Sequence, residues 1–108
     1  MLVTVPNFGV RCVDDDGTVT LLVCGELDRF SAQVLDQYLD ELHASPLSML
    51  EIDATELSFC DTAGVKAIMS AHDTCIAQGA KMRVVGLQPA VERVFKLTAV
   101  TAALECDR

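Results

Sequence analysis

The stretch ELSFCDTAGVKAIMSAHDTC, Glu56–Cys75, changes character in its middle. Up to Cys60 it reads as a strand running into a loop. From Val65 onward, Val65, Ile68, Met69, His72, Cys75 and Ile76 recur at helical spacing. Asp61, Thr62, Ala63 and Gly64 form the junction. Either Asp61 or Thr62 is expected to be the N-cap, whose side-chain oxygen accepts a free backbone N–H and stabilises a helix by about 1 kcal/mol. Gly64 in the first turn costs about 1 kcal/mol relative to alanine. A glycine there implies that something approaches the backbone closely, or that the start of the helix has to be slim. Gly79 is well placed to end the helix.

The rest of the pattern alternates around this unit. Leu2–Val5, cut off by Pro6 and Asn7, reads as a strand or a tail. FGVRCV and TVTLLVCG, joined by the turn signal DDDG at Asp14–Gly17, form an expected β-hairpin. SAQVLDQYLDELHA then places Val34, Leu35, Tyr38, Leu39 and Leu42 on one helical stripe, with Ser31 as its N-cap. SMLEIDA, Ser48–Ala54, is a short expected strand, followed by a turn capped by Asp53 and Glu56. KMRVVG, Lys81–Gly86, is another strand, and Pro89 opens a last helix on which Val91, Val94, Phe95 and Thr98 share a face. TAALECDR is either a last strand or a tail. Strands alternating with helices predict an α/β fold with mostly parallel pairing and an antiparallel hairpin at the start. The chain is expected to be one domain, residues 1–108, with a core at about 8–104.

The 108 residues include 51% hydrophobic ones, enough for a single core. Eight basic residues against 16 acidic give a net charge of −8, which disfavours nucleic-acid backbones and anionic membrane surfaces alike. No apolar run has membrane-spanning length and the start lacks the features of a secretory leader, so no membrane insertion and a cytoplasmic location are expected. Five cysteines without a C-x-x-C pair, and two distant histidines, disfavour a zinc cage, and reduced thiols are expected. No other metal or cofactor motif is present. Cys24 and Cys75 read as core and Cys106 as an exposed tail thiol. His72 reads as a hydrogen-bonded, partly buried histidine, and His43 as a helix-end residue facing the dipole. Cys60, beside Asp61, is either a redox-sensitive thiol at a helix mouth or a small buried hydrophobe.

Thr62 has three readings: a helix-starting residue, a nucleophile, or a phosphate acceptor. No base accompanies it in the sequence as a nucleophile requires. A phosphate would bring about −1.5 to −2 charges, which a helix N-terminus accommodates.

GELD at Gly25–Asp28, LEIDATELSFCDTAGV at Leu50–Val65 and QPAVERVFKLTAV at Gln88–Val100 occur in an order and spacing that resemble the STAS domain, and more narrowly the bacterial anti-sigma factor antagonists. The resemblance implies a single STAS domain, a mixed β-sheet flanked by helices, that acts as a binding protein and not an enzyme. It implies that the unphosphorylated domain binds an anti-sigma factor kinase and frees a sigma factor. Phosphorylation of Thr62 would abolish that binding and a phosphatase would reset it. The implied partner surface comprises Glu26, Asp28, Asp61, Thr62, Ala63, Gly64, Val65 and Lys66, with Asp28 orienting the hydroxyl or meeting the partner. Ala63 stands where the family usually has a second hydroxyl residue, Lys66 where a small residue is usual, and Ala99 where glycine is frequent. The alternative implied function is a STAS subunit docked on the ATPase of a lipid-transport ABC system.

Overall fold

The computed structural model describes residues 2–98 and, by backbone alone, 105–107. Ala99 and the side chain of Cys106 therefore lie outside the described residues. In chain order the elements are β1 (Leu2–Val5), β2 (Phe8–Asp15), β3 (Thr18–Leu27), α1 (Arg29–His43), β4 (Met49–Cys60), α2 (Thr62–Ala77), β5 (Lys81–Val85), α3 (Pro89–Leu97) and β6 (Glu105–Asp107). The strands lie side by side in that order; β1, β2 and β3 pair antiparallel, whereas β4, β5 and β6 each run parallel to the strand before. Three successive crossovers of one hand, all stepping in the same direction along the sheet, place the three helices on one face.

Turn chemistry sets the antiparallel part. Leu2–Val5 is a strand because Pro6 and Asn7 make a two-residue turn, with Asn7 at a φ of 66°. Asp16 and Gly17, with φ of 55° and 88°, make the mirror-image turn that suits the twist of a β2–β3 hairpin, and Asp14 accepts the Gly17 N–H at 3.3 Å. Gly25 has a φ of 90°, and a Cβ there would run into the Asn7 carbonyl. That kink lets the Glu26 N–H reach the same carbonyl at 2.7 Å.

The core lies between the sheet and the helices. Alternate residues of β3, Val19, Leu21 and Val23, meet Val10 of β2, Leu50, Ile52 and Ala54 of β4, and Met82 and Val84 of β5. Leu35, Tyr38 and Leu39 of α1, Ile68 and Ala71 of α2, and Val91 and Phe95 of α3 close over them. Cys75 is buried as expected, but Cys24 is exposed: it has the parity of Thr20 and Leu22 and lies on the face without helices.

The helix of the opening stretch also turns differently. Ile76 is 61% exposed, and the middle of the buried face is Gly64, Ile68, Ala71 and Cys75, with Val65 and Ala67 beside it. Its small residues let α2 lie close to α1 and the sheet, an effect that a search for large apolar residues overlooks. His72 is half-buried, but its Nδ1 has no hydrogen bond; the Asp73 carboxylate lies 3.6 Å away. His43 ends α1, and Gln78 bridges to it, donating to the His43 carbonyl at 3.2 Å.

The fourth strand is longer than the expected Ser48–Ala54 and does not turn at Asp53. It continues to Cys60 through two irregularities. Between Leu22 and Cys24, β3 advances two residues where β4 advances three, and between Gly25 and Glu26 it advances one where β4 advances two. Asp53 accepts the N–H and hydroxyl of Thr55 at 3.0 and 2.6 Å inside the first bulge, whereas Glu56 is exposed. Gln88, before α3, donates to the Thr55 carbonyl at 2.8 Å and ties that bulge to the third helix.

Phe95 is fully buried and Leu97, two residues on, is 81% exposed. Urea unfolding followed by circular dichroism should show Phe95→Ala destabilising the domain by about 3–5 kcal/mol, against no more than about 0.5 kcal/mol for Leu97→Ala. Equal effects would mean that α3 does not pack as described.

Candidate functional site

β3 and β4 are parallel neighbours, so the helices that follow them start side by side at the same edge of the sheet. Crevices outside the carboxyl ends of parallel strands are where α/β folds place binding groups. The two starts are held in different ways.

Asp28 is the N-cap of α1, not Ser31. Its Oδ1 accepts the N–H groups of Phe30 and Ser31, both at 3.0 Å. Ser31 is the third helical residue and closes the box, its Oγ accepting the Asp28 N–H at 2.8 Å and donating to the Glu26 carbonyl at 2.8 Å. The helix starts earlier than the apolar stripe suggests because Asp28 Oδ1 takes the first free N–H groups and leaves Ser31 inside the first turn. These bonds, those from Ser31 first, hold the Asp28 carboxyl below its ordinary range. Its contribution to stability is therefore present above the unfolded-state value of 3.8 and is lost as pH falls through the depressed folded value.

Asp61 is the N-cap of α2, accepting the Gly64 N–H at 3.0 Å, and its own N–H donates to the Leu27 carbonyl at 3.1 Å. Thr62 is thus freed from capping. It is the first helical residue of α2, and it is exposed. Gly64 is required by close approach: a Cβ there would sit 2.7 Å from the Cys60 Sγ and 2.8 Å from both the Leu27 Cγ and its carbonyl oxygen.

Of the eight candidate residues, Glu26, Thr62 and Lys66 are exposed and Asp28, Asp61 and Ala63 half-buried at this mouth, whereas Gly64 and Val65 are buried. Glu26 belongs to β3 and not to a loop. Phe30, 75% exposed, and Phe59, 46% exposed, adjoin the two N-caps in sequence and escaped sequence reasoning. Their signal was an aromatic directly beside each capping segment, in GELDRF and SFCD. A depression of about 540 Å³ lies between Phe30, Val34 and the Pro6–Asn7 turn. One of about 380 Å³ lies between α1 and α2, lined by Arg29, Ala63 and Lys66 among others.

Cys60 is buried under this mouth. Burial, and then the charge of Asp61, push its thiol up to about 12, so it is protonated at neutral pH. Of its two readings, the geometry is that of a small buried hydrophobe. Among the described residues no group of three or more His, Cys, Asp or Glu side chains could hold a metal ion, and no helix is long and apolar enough to cross a membrane. What the site offers is a pair of helix mouths, an exposed hydroxyl and two exposed aromatic rings.

The family model of the STAS domain matches residues 10–106, and the chain belongs to that family. It is 24% identical over 91 residues to a Listeria monocytogenes protein named anti-sigma-B factor antagonist, covering 84% of this chain and 80% of that one. The structure of an anti-sigma factor antagonist from Mycobacterium paratuberculosis superimposes with a TM-score of 0.85 at 24% identity, over 97% of this chain and 90% of that chain. The Bacillus cell fate determinant SpoIIAA in its phosphorylated form superimposes with a TM-score of 0.72 at 16% identity, over 90% and 89%.

Gly64→Ala should lower stability by about 1–3 kcal/mol in urea unfolding, since Leu27 and Cys60 leave no room for a methyl group. Unchanged stability would show that they do not press on α2. Native-state labelling with a thiol-reactive disulfide at pH 8, mapped by mass spectrometry, should modify Cys24 well before Cys60 and Cys75, whose thiols are buried and pushed up. A Cys60 as fast as Cys24 would mean that the mouth opens readily.

Proposed function

We propose that this chain is an anti-sigma factor antagonist switched by phosphorylation of Thr62. It acts by binding and carries out no chemistry of its own. The unmodified domain binds an anti-sigma factor that is also a kinase, and a sigma factor is thereby freed. In the modifying step the γ-phosphoryl group of ATP passes to the Thr62 Oγ1, ADP departs, and the hydroxyl proton goes to a base of the kinase. A phosphatase hydrolyses the ester and restores binding.

The observation that carries the reading is the placement of Thr62. It is exposed as the first residue of α2, relieved of capping by Asp61, at a mouth that also presents Glu26, Asp28 and Lys66. A relative of the same fold whose structure is that of a phosphorylated form supports it. The helix N-terminus accommodates the phosphate, so the domain stays folded. A docked partner meets new negative charge beside Asp28 and Asp61. Desolvating it costs roughly 2–5 kcal/mol, a tens- to thousands-fold change in affinity.

The test is incubation of the wild type and Thr62→Ala with ATP and the anti-sigma factor kinase that co-purifies from the native host. The wild type should take up one phosphate and release the kinase. Thr62→Ala should take up none and remain bound. Phosphate uptake that persists in Thr62→Ala, or recovery of an unmodified chain bound to an ABC transporter ATPase in place of a kinase, would overturn the proposal.

A further inference from the structure

Among the described residues, two basic side chains at the paired helix mouths take part in no ion pair. Arg29 is the first residue of α1, and Lys66 lies on α2 one turn beyond Thr62. Both are exposed and both line the groove of about 380 Å³ between the helices, with Ala32, Asp36, Ala63 and Ala67. The ion pairs found among the described residues join His72 with Asp73, Arg83 with Glu51 and Lys96 with Glu92. Neither Arg29 nor Lys66 takes part in them. Asp36 is the acid of the groove; partial burial and then the charge of Asp40 push its carboxyl up, with no opposing contribution from either cation. In a chain with 8 basic against 16 acidic residues, two uncommitted cations facing one groove are conspicuous.

The carboxylates of the mouth sharpen the point. Asp28 and Asp61 are spent on backbone N–H groups of their helices, and Glu26 is exposed nearby. A phosphate on Thr62 adds to the negative charge of Glu26, Asp28 and Asp61, and cations within reach would offset it beyond what the helix end does. A residue four positions along a helix is a surface neighbour, within reach of a long side chain. A guanidinium binds phosphate oxygens through two parallel N–H donors.

We propose that Arg29 and Lys66 form a cradle for the phosphate on Thr62, drawing the modified side chain over the groove between α1 and α2. The proposal rests on Thr62 being the acceptor and deepens that reading. The released form is then a defined, ion-paired state in which the phosphate occupies the cations of the groove.

The test uses the full chain with phosphothreonine incorporated at position 62 during translation, which needs no kinase. Phosphorus NMR follows the second ionisation of the phosphate, which lies near 6 in a free phosphomonoester. Nearby cations favour the dianion, so the wild-type value should be lower by about half a unit or more. In Arg29→Gln with Lys66→Gln most of the cation-dependent shift should disappear, and in Lys66→Gln alone a part of it. The helix end is the same in all three, so its effect cancels. Asp36→Asn should leave the shift between wild type and double variant in place, and added salt should narrow it. Identical titrations of the wild type and both glutamine variants would overturn the cradle. A chain that the kinase never modifies, but whose installed phosphate responds to Arg29 and Lys66, keeps the cradle and loses the switch. Identical titrations in a chain that the kinase does modify at Thr62 keep the switch and lose the cradle.

Discussion

The contact on which the mouth depends is the seating of Gly64 against Leu27 and Cys60. It joins the last residue of β3, the last residue of β4 and the first turn of α2 so closely that no Cβ fits at position 64. The hydrogen bond from Asp61 to the Leu27 carbonyl lies across the same junction. Because Asp61 is fixed by its N–H and caps α2 with its carboxylate, Thr62 is left to solvent. A side chain at position 64 would push α2 off the sheet, and with it the groove against α1. Packing between strand ends thus fixes the geometry of the mouth at the surface.

The α/β class, the initial hairpin, the parallel pairing and the order of helices were legible in the sequence. Alternation along TVTLLV, the turn residues DDDG and the proline at the start of α3 each have a local physical cause. The glycine in D-T-A-G was legible too, as a close approach, though not what approaches it. Two features were hidden. Ala54, Leu57 and Cys60 are buried at a spacing of three, which fits neither strand nor hairpin alternation, because each bulge in β4 inserts a residue. The segment therefore looked like a turn and a loop. In α2 the buried centre consists of glycine, alanines and cysteine, so weighing large apolar residues rotated the face and put Ile76 inside.

At the site, sequence reasoning found the helix mouth and the Thr62 hydroxyl but misassigned the cap of α1. Ser31 looks like an N-cap because it precedes an apolar stripe; in fact it closes a box begun by Asp28. The aromatics beside the capping segments were visible in GELDRF and SFCD, but not whether they face solvent, since an aromatic there can also pack into the core. Both rings lie where β3 and β4 end together, at the carboxyl ends of the two central strands. The pairing of Arg29 with Lys66 across one groove is likewise tertiary, as the two residues are far apart in sequence.

The double bulge of β4 has a bearing on how this surface can vary over evolution. Each bulge takes up one extra residue of β4, so the strand keeps its facing: Leu57, between the two bulges, is buried like Ala54 before them and Cys60 after them. Asp61 and Thr62 follow directly because Cys60 still pairs with Leu27, and the Asp61 N–H still meets the Leu27 carbonyl, after both extra residues have been taken up. Between Ala54 and Cys60 a residue gained or lost without a matching change in a bulge would turn over all that follows, and with it the Thr62 hydroxyl. The connection between α1 and β4, at the far end of the molecule, is under no such restriction. Insertions and deletions among related chains should gather there and spare the bulged strand.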